Sequence, residues 1–99
     1  MDVARHAGKD YLEDGEAITN ADLDACAKAQ GVAIKRGDFV IVRTGQMEQR
    51  LDQKDWGTYS AGDAPGLRFE TCEWIHDHQI AAICADTWGC EVRPNESTV

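Results

Sequence analysis

The sequence predicts an α/β fold in which helices flank a partial parallel or mixed sheet. Two short apolar runs, partly β-branched, are typical of buried strands, and two amphipathic segments precede them along the chain. The order helix, strand, helix, strand favours right-handed crossover connections between neighbouring strands. With 99 residues, the chain is expected to form a single partial domain over residues 1–99.

The first helix is predicted over residues 20–30. Thr19 is a suitable N-cap residue, because Asp22 follows three positions later and completes a capping pattern. Apolar side chains then recur at helical spacing until Gly31, which supplies a C-terminal stop. These signals together define both ends of the helix.

The first strand is predicted over residues 39–44, directly after a turn at residues 36–38. Its apolar run is continuous rather than alternating, which predicts a strand covered on both faces. Part of residues 46–54 is compatible with a helix. The long segment that follows contains Trp56 and Tyr59, which favour a lid or a contact surface.

A second helix is predicted over residues 68–78 and leads into a second strand over residues 80–85. The apolar side chains of this helix recur with a period near 3.6: Phe69, Cys72, Trp74 and Ile75. Two strands alone do not complete a buried sheet. We therefore expect a homo-oligomer, or complementing segments of a full-length relative, to complete it.

Composition excludes several classes of partner. Eighteen acidic residues against ten basic ones give a net charge of −8, which repels nucleic acid and anionic membrane surfaces. No apolar run approaches the roughly 20 residues that span a bilayer, and no signal segment is visible. These features predict a cytoplasmic protein that binds neither nucleic acid nor membrane.

The cysteines and histidines do not predict a metal site. The four cysteines lack a Cys-x-x-Cys pair, and we expect reduced thiols, with Cys26, Cys72 and Cys84 in the core. His76 and His78 point about 200° apart on a helix and cannot converge on one ion. His6 is expected in an ordinary surface loop. No cofactor is expected for this chain from these residues, and no catalytic residue is assigned.

Asp86 and Trp88 are the candidate pocket residues. Asp86 follows the strand over 80–85, and ligands of open α/β sheets bind beyond the carboxyl ends of strands. Its carboxylate could equally hold loop amides, as Asp side chains often do in turns. Trp88 could form a pocket wall or cover the core. The residues alone leave both alternatives open.

Several short blocks in this chain resemble the cyclase family of metal-dependent hydrolases, which includes kynurenine formamidase and isatin hydrolase. The resemblance implies an α/β fold and hydrolysis of an amide or lactam C–N bond at a divalent metal, Zn²⁺ or Mn²⁺. The blocks occur in order over nearly the whole chain: Asp2-Val3-Ala4-Arg5-His6, Val42-Arg43-Thr44-Gly45, Ala64-Pro65-Gly66-Leu67, Glu70-Thr71-Cys72-Glu73-Trp74, Ala85-Asp86-Thr87-Trp88-Gly89 and Glu91-Val92-Arg93-Pro94-Asn95-Glu96.

The chain also departs from the family pattern. The His-x-Gly-Thr-His-x-Asp segment through which the family binds metal has no counterpart here, and Gln46 occupies a position where relatives often have tryptophan. The resemblance therefore implies the central segment of a hydrolase, inactive by itself. The alternative is a non-catalytic α/β module that self-associates or binds a relative.

Overall fold

The computed structural model describes residues 1–97, in which helices and strands alternate. In chain order the elements are α1 (Val3–His6), β1 (Ala17–Ile18), α2 (Asn20–Ala29), β2 (Phe39–Val42), α3 (Gln46–Gln53), β3 (Gly66–Leu67), α4 (Thr71–His78) and β4 (Ala82–Ala85). The α/β prediction is confirmed. The four main predicted elements correspond to α2, β2, α4 and β4, and α3 confirms a helix within residues 46–54.

Strand β2 is the middle of three parallel segments. On one side it pairs with β4, in a register that joins Val42 to Ala85. On the other side, Asp2 forms a parallel bridge with Arg43, and the Arg43 N–H donates to the Met1 carbonyl oxygen at 2.9 Å. Strands β1 and β3 form a separate parallel pair of two residues each. The carboxyl ends of the three segments therefore meet at one edge.

Helix α2 begins where the capping pattern predicted. The Thr19 hydroxyl accepts from the Asp22 N–H at 3.0 Å, and the Asp22 carboxylate accepts from the Thr19 N–H at 2.9 Å. This reciprocal pair satisfies two amides that the first helical turn leaves without partners. The apolar side of the helix then enters a core formed by buried residues from most elements: Val3, Ala4, Leu12, Ile18, Leu23, Cys26, Val40, Val42, Leu67 and Trp74.

The prediction that the first strand is covered on both faces is wrong for this chain. Val40 and Val42 are 4% and 0% exposed, whereas Phe39 and Ile41 are 73% and 64% exposed. Side chains alternate across a strand, so the core covers one face of β2. The opposite side of the β2–β4 pair, formed by Phe39, Ile41, Ala82 and Cys84, is here named the outer face.

The predicted burial of the cysteines and of the second helix needs correction. All four cysteines are free, as expected, but Cys72 and Cys84 are exposed and Cys26 alone of the three predicted is buried. The period of an amphipathic pattern does not determine how wide a stripe its neighbours cover. In α4 the residue that enters the core is Trp74, whose indole N–H donates to the Asp24 carboxylate at 2.9 Å.

Among residues 1–97, the longest helix has ten residues, and none is long and apolar enough to cross a bilayer.

Candidate functional site

The carboxyl edge of the parallel segments brings three distant parts of the sequence together. Because Val42 and Ala85 are paired, Arg43 and Asp86 leave their strands side by side. Asp2 joins them through its bridge to Arg43, and helix α1 begins at the next residue. Polar side chains beyond the carboxyl ends of parallel strands are the usual location of an α/β site.

Asp86 binds the turn that follows β2. Its Oδ1 accepts from the Thr44 N–H and the Thr44 hydroxyl, both at 2.7 Å, and its Oδ2 accepts from the Gly45 N–H at 2.8 Å. Thr44 and Gly45 are buried, so these donors depend on the carboxylate for a hydrogen-bond partner. The carboxylate therefore holds loop amides, which is one of the two roles weighed for it, and it fixes where helix α3 begins.

Gly45 is required at this turn for two reasons. Its φ is +86°, a left-handed conformation that side chains with a Cβ adopt at a cost. A Cβ here would also lie 2.5 Å from the Asp10 carbonyl oxygen and 2.7 Å from the Tyr11 Cα. The turn after β2 is thus packed directly against the backbone of residues 10–11.

Tyr59 connects the long segment after α3 to the same edge. Its hydroxyl donates to the Asp86 carbonyl oxygen at 3.1 Å, and its ring makes an edge contact with Trp56 at a centroid distance of 5.0 Å. Burial, and secondarily the charge of Asp86, raise the pKa of the Tyr59 hydroxyl. Tyr59 therefore remains neutral and able to donate to the Asp86 carbonyl oxygen.

Arg43 is the centre of an ion-pair cluster at the edge. Its guanidinium donates to the Asp2 carboxylate at 3.0 Å, to the Asp10 carbonyl oxygen at 3.2 Å, and to the Glu48 carboxylate. The hydrogen bonds to Glu48 and then Asp2 raise the pKa of Arg43 further. Partial burial favours the neutral form of Asp2, but the Arg5 N–H and then Arg43 outweigh it and lower the pKa of that carboxyl.

A groove of about 260 Å³ opens beside this cluster, between the residue 10–11 segment and helix α3. Its charged lining comprises Asp10, Arg43, Glu48 and Asp52. This volume lies just below the usual range for small-molecule sites, about 300–1,000 Å³. With a fixed cation among carboxylates, the groove can orient a small polar molecule, but no activated nucleophile lines it.

The described residues do not fit the divalent metal that the family resemblance implies. No group of three or more His, Cys, Asp or Glu side chains among residues 1–97 is placed to hold a metal ion. His6 and His76 are exposed on different helices. His78 packs on the Trp74 ring, with centroids 4.2 Å apart, and its Nδ1 lies 2.8 Å from the Trp74 carbonyl oxygen.

Neither of the two predicted pocket residues lines the groove beside Arg43. Trp88 is 40% exposed and lies under the Arg93 guanidinium, 5.2 Å from the ring centroid, a cation–π contact. It lines none of the groove beside Arg43. Asp86 reaches this groove indirectly, since it fixes the turn containing Gly45, which lines it.

Sequence reasoning assigned no site role to Arg43, Thr44 or Tyr59. The signal for Arg43 and Thr44 was present, because polar residues directly after a buried-type strand lie at the carboxyl edge. Tyr59 carried no such signal, since its bond to Asp86 joins residues 27 positions apart through an irregular segment.

The fold and the polar residues at the carboxyl edge together define an α/β protein, with a parallel sheet and a polar site beyond the carboxyl ends of its strands. Residues 1–92 match the model of the Cyclase family. A solved crystal structure described as a novel cyclase is 31% identical, superposes with a TM-score of 0.74, and covers 85% of this chain. No curated protein matches the chain.

The chain belongs to the Cyclase family. It spans 28% of the length of the solved cyclase, so the greater part of that fold has no counterpart in these 99 residues.

Proposed function

We propose that this chain is the central segment of a metal-dependent hydrolase that cleaves amide or lactam C–N bonds. The observation that carries the proposal is the Cyclase match over residues 1–92, which includes all the blocks that surround the carboxyl edge. Kynurenine formamidase-like substrates, such as an aryl formamide, are the expected class. A divalent ion in this class of reaction polarises the carbonyl group and activates water.

The metal ligands are assigned to polypeptide beyond these residues. Support comes from two independent facts: residues 1–97 hold no suitable ligand group, and the solved cyclase is more than three times as long as the matched part. The role proposed for this segment is positioning. Asp86 fixes the turn at Thr44 and Gly45, and Arg43 offers a cation at the groove where the polar end of a substrate would bind.

The first experiment asks whether the 99-residue chain has a metal site. Titration calorimetry with Zn²⁺ and Mn²⁺ should detect no stoichiometric binding at micromolar affinity, and the chain should not hydrolyse an aryl formamide or an isatin-type lactam. Stoichiometric binding or turnover by this chain alone would contradict the placement of the ligands elsewhere.

The second experiment tests the reaction itself. Intact-mass measurement of the polypeptide from its native cell identifies the chain to assay, with Zn²⁺ or Mn²⁺ added. We expect hydrolysis of the amide or lactam, reduced by Arg43→Gln and unchanged by Lys28→Gln, since Lys28 is exposed on helix α2. A metal-loaded polypeptide that hydrolyses neither substrate would refute the hydrolase assignment.

A second candidate function is a non-catalytic module that self-associates. The specific observation in its favour is the outer face, where Phe39 and Ile41 remain largely exposed on a parallel sheet. Parallel sheets are almost always covered on both faces. This function requires neither a metal nor the groove beside Arg43.

A further inference from the structure

The outer face is a continuous uncharged surface. The register of the β2–β4 pair sets Phe39 beside Ala82 and Ile41 beside Cys84, so the four side chains form two adjacent rows. Phe39 and Ile41 are the two most exposed large hydrophobic residues among residues 1–97. Next to them, a cavity of about 90 Å³ between Val32, Ile34 and Phe39 makes the surface concave. Such a contiguous patch marks an interaction site.

The shape of the molecule allows a dimer of ordinary size. The described residues extend 37 × 33 × 20 Å, a slab with the thickness of one helix layer and one sheet layer. A standard protein interface buries about 800 Å² per partner. The two longer dimensions of the described residues enclose more than this area, so the molecule has room for an interface of standard size centred on the outer face.

The charge distribution selects one arrangement of two copies. At the amino end of β2, Lys35 and Arg36 are exposed, and neither forms an ion pair within the described part of the chain. The groove at the carboxyl end is lined by Asp10, Glu48 and Asp52 together with Arg43, which pairs with Glu48, so the lining has a net negative charge. Two chains of net charge −8 repel each other unless opposite ends are brought together.

We propose that the outer face binds the outer face of a second copy, across a two-fold axis that sets the β2 strands of the two copies antiparallel. Each basic amino end then faces the acidic carboxyl end of the other copy. This inference rests on the second of the proposed functions, self-association, and names its surface. An isologous contact of this kind closes as a dimer and does not extend into a filament.

Sedimentation velocity at micromolar concentrations tests the surface. The unmodified chain should sediment as a species of twice 10.9 kDa. Ile41→Lys should weaken the dimer at least tenfold, because it places a charge in the interface core. Phe69→Lys is the matched control, since Phe69 is 63% exposed and lines a groove with Ile83 on the side of β4 opposite the outer face, and this variant should remain dimeric. Phe39→Ser provides a second disruption without an added charge.

Alkylation of the cysteines gives an independent readout. Cys84 is on the outer face, whereas Cys72 lines a groove with Ile83, whose side chain points to the other side of β4. Burial raises the pKa of the Cys26 and Cys90 thiols, which slows their reaction. As the protein concentration rises, modification of Cys84 by iodoacetamide should slow while modification of Cys72 stays constant.

The possible outcomes distinguish a failure of the proposed self-association from a failure of the outer face as its site. A monomer at all these concentrations would overturn both self-association and the proposed surface. A dimer that Ile41→Lys and Phe39→Ser leave intact, with Cys84 still reactive, would retain self-association and overturn the outer face as its site. A dimer lost in both variants and retained in Phe69→Lys supports the proposal.

Discussion

The two ends of strand β2 contain the same kinds of turn residue, but the hydrogen bonds of their carboxylates span different distances along the sequence. Each end has a glycine of positive φ, Gly37 at +83° and Gly45 at +86°. Each also has a carboxylate that accepts from loop amides. Asp38 accepts from the N–H of Lys35, three residues away, whereas Asp86 accepts from donors 41 and 42 residues away. The carboxylate at the amino end acts within its own turn, which the Gly37 N–H joins to the Gln79 carbonyl oxygen at 2.8 Å, whereas the carboxylate at the carboxyl end itself joins distant segments.

This difference explains why the candidate site is at the carboxyl end. The side-chain bond of Asp38 can form before the fold is complete, because its donor is three residues away. A junction of residues 2, 43–45 and 86 exists only when the sheet has formed, so it positions side chains with precision. Substitutions at the two ends should therefore have unequal effects on stability.

The largest contrast is expected between Gly45→Ala and Gly37→Ala. Both introduce a Cβ at positive φ, which costs about 1–2 kcal/mol of folding free energy. At Gly45 the Cβ also meets the backbone of residues 10 and 11, whereas at Gly37 nothing lies within 4 Å. Urea denaturation should show a loss of about 3 kcal/mol or more for Gly45→Ala and roughly 1 kcal/mol for Gly37→Ala. Equal losses would contradict the packing described for Gly45.

A smaller contrast is expected between Asp86→Asn and Asp38→Asn. The carboxamide introduced by Asp86→Asn would present its NH₂ donor to one of the buried N–H groups, leaving that group without an acceptor, at a cost of about 2 kcal/mol. The carboxamide introduced by Asp38→Asn can keep its oxygen toward the single Lys35 N–H, so a change below about 0.5 kcal/mol is expected. Thermal melts by circular dichroism compare the stabilities of the two variants. An Asp86→Asn variant as stable as the unmodified chain would show that the hydrogen bonds of Asp86 contribute little to stability.

Gln46→Met should stabilise the carboxyl end. Gln46 is fully buried, and neither its Oε1 nor its Nε2 has a hydrogen-bond partner among residues 1–97. A methionine of similar length removes two unsatisfied polar atoms, with an expected gain of about 1 kcal/mol. Gln49→Met on the same helix is the control, because Gln49 lines the open groove. Loss of stability in Gln46→Met would indicate that the carboxamide has a partner outside these residues.

The smallest effect is expected for Asp2→Asn and depends on pH. The folded pKa of Asp2 is lowered, so its charge stabilises the fold above the unfolded pKa of about 3.9, and this contribution is lost as pH falls through the folded pKa. Asparagine retains the N-cap bond to the Arg5 N–H, so the substitution isolates the charge.

At neutral pH the Asp2→Asn loss should be about 0.5 kcal/mol or less, since the pair with Arg43 is partly exposed. Denaturation at a series of pH values should show the difference vanishing in strong acid. Asp52→Asn, at an exposed carboxylate of the groove, is the comparison. A difference independent of pH would mean that the substitution changes more than the charge of Asp2, such as its N-cap bond to the Arg5 N–H.

Local signals in the sequence predicted the long elements well. Thr19, Asp22 and Gly31 defined helix α2 because capping depends on neighbours within four residues. The parallel pairing of β2 with β4 followed from the connection rule for buried strands. Strands β1 and β3, of two residues each, and the single turn of α1 are too short to show any periodicity.

The site was predictable only in part, because its bonds are not local. Asp86 was identified by its position after a strand, but its partners at Thr44 and Gly45 are far away in the sequence. Exposure of the outer face was missed for a related reason. A continuous apolar run indicates that both faces of a strand are suited to burial. It does not indicate that residues of the same chain bury both faces.

The unequal environments of the three tryptophans give the protein an internal optical reporter. Trp74 is 4% exposed and hydrogen-bonded to Asp24, while Trp56 and Trp88 are 49% and 40% exposed. Unfolding transfers Trp74 from an apolar site to water and changes the surroundings of the other two far less. The red shift of intrinsic fluorescence on denaturation should therefore come mainly from the junction of α2 and α4, so a Trp74→Phe variant would unfold with little change in emission wavelength.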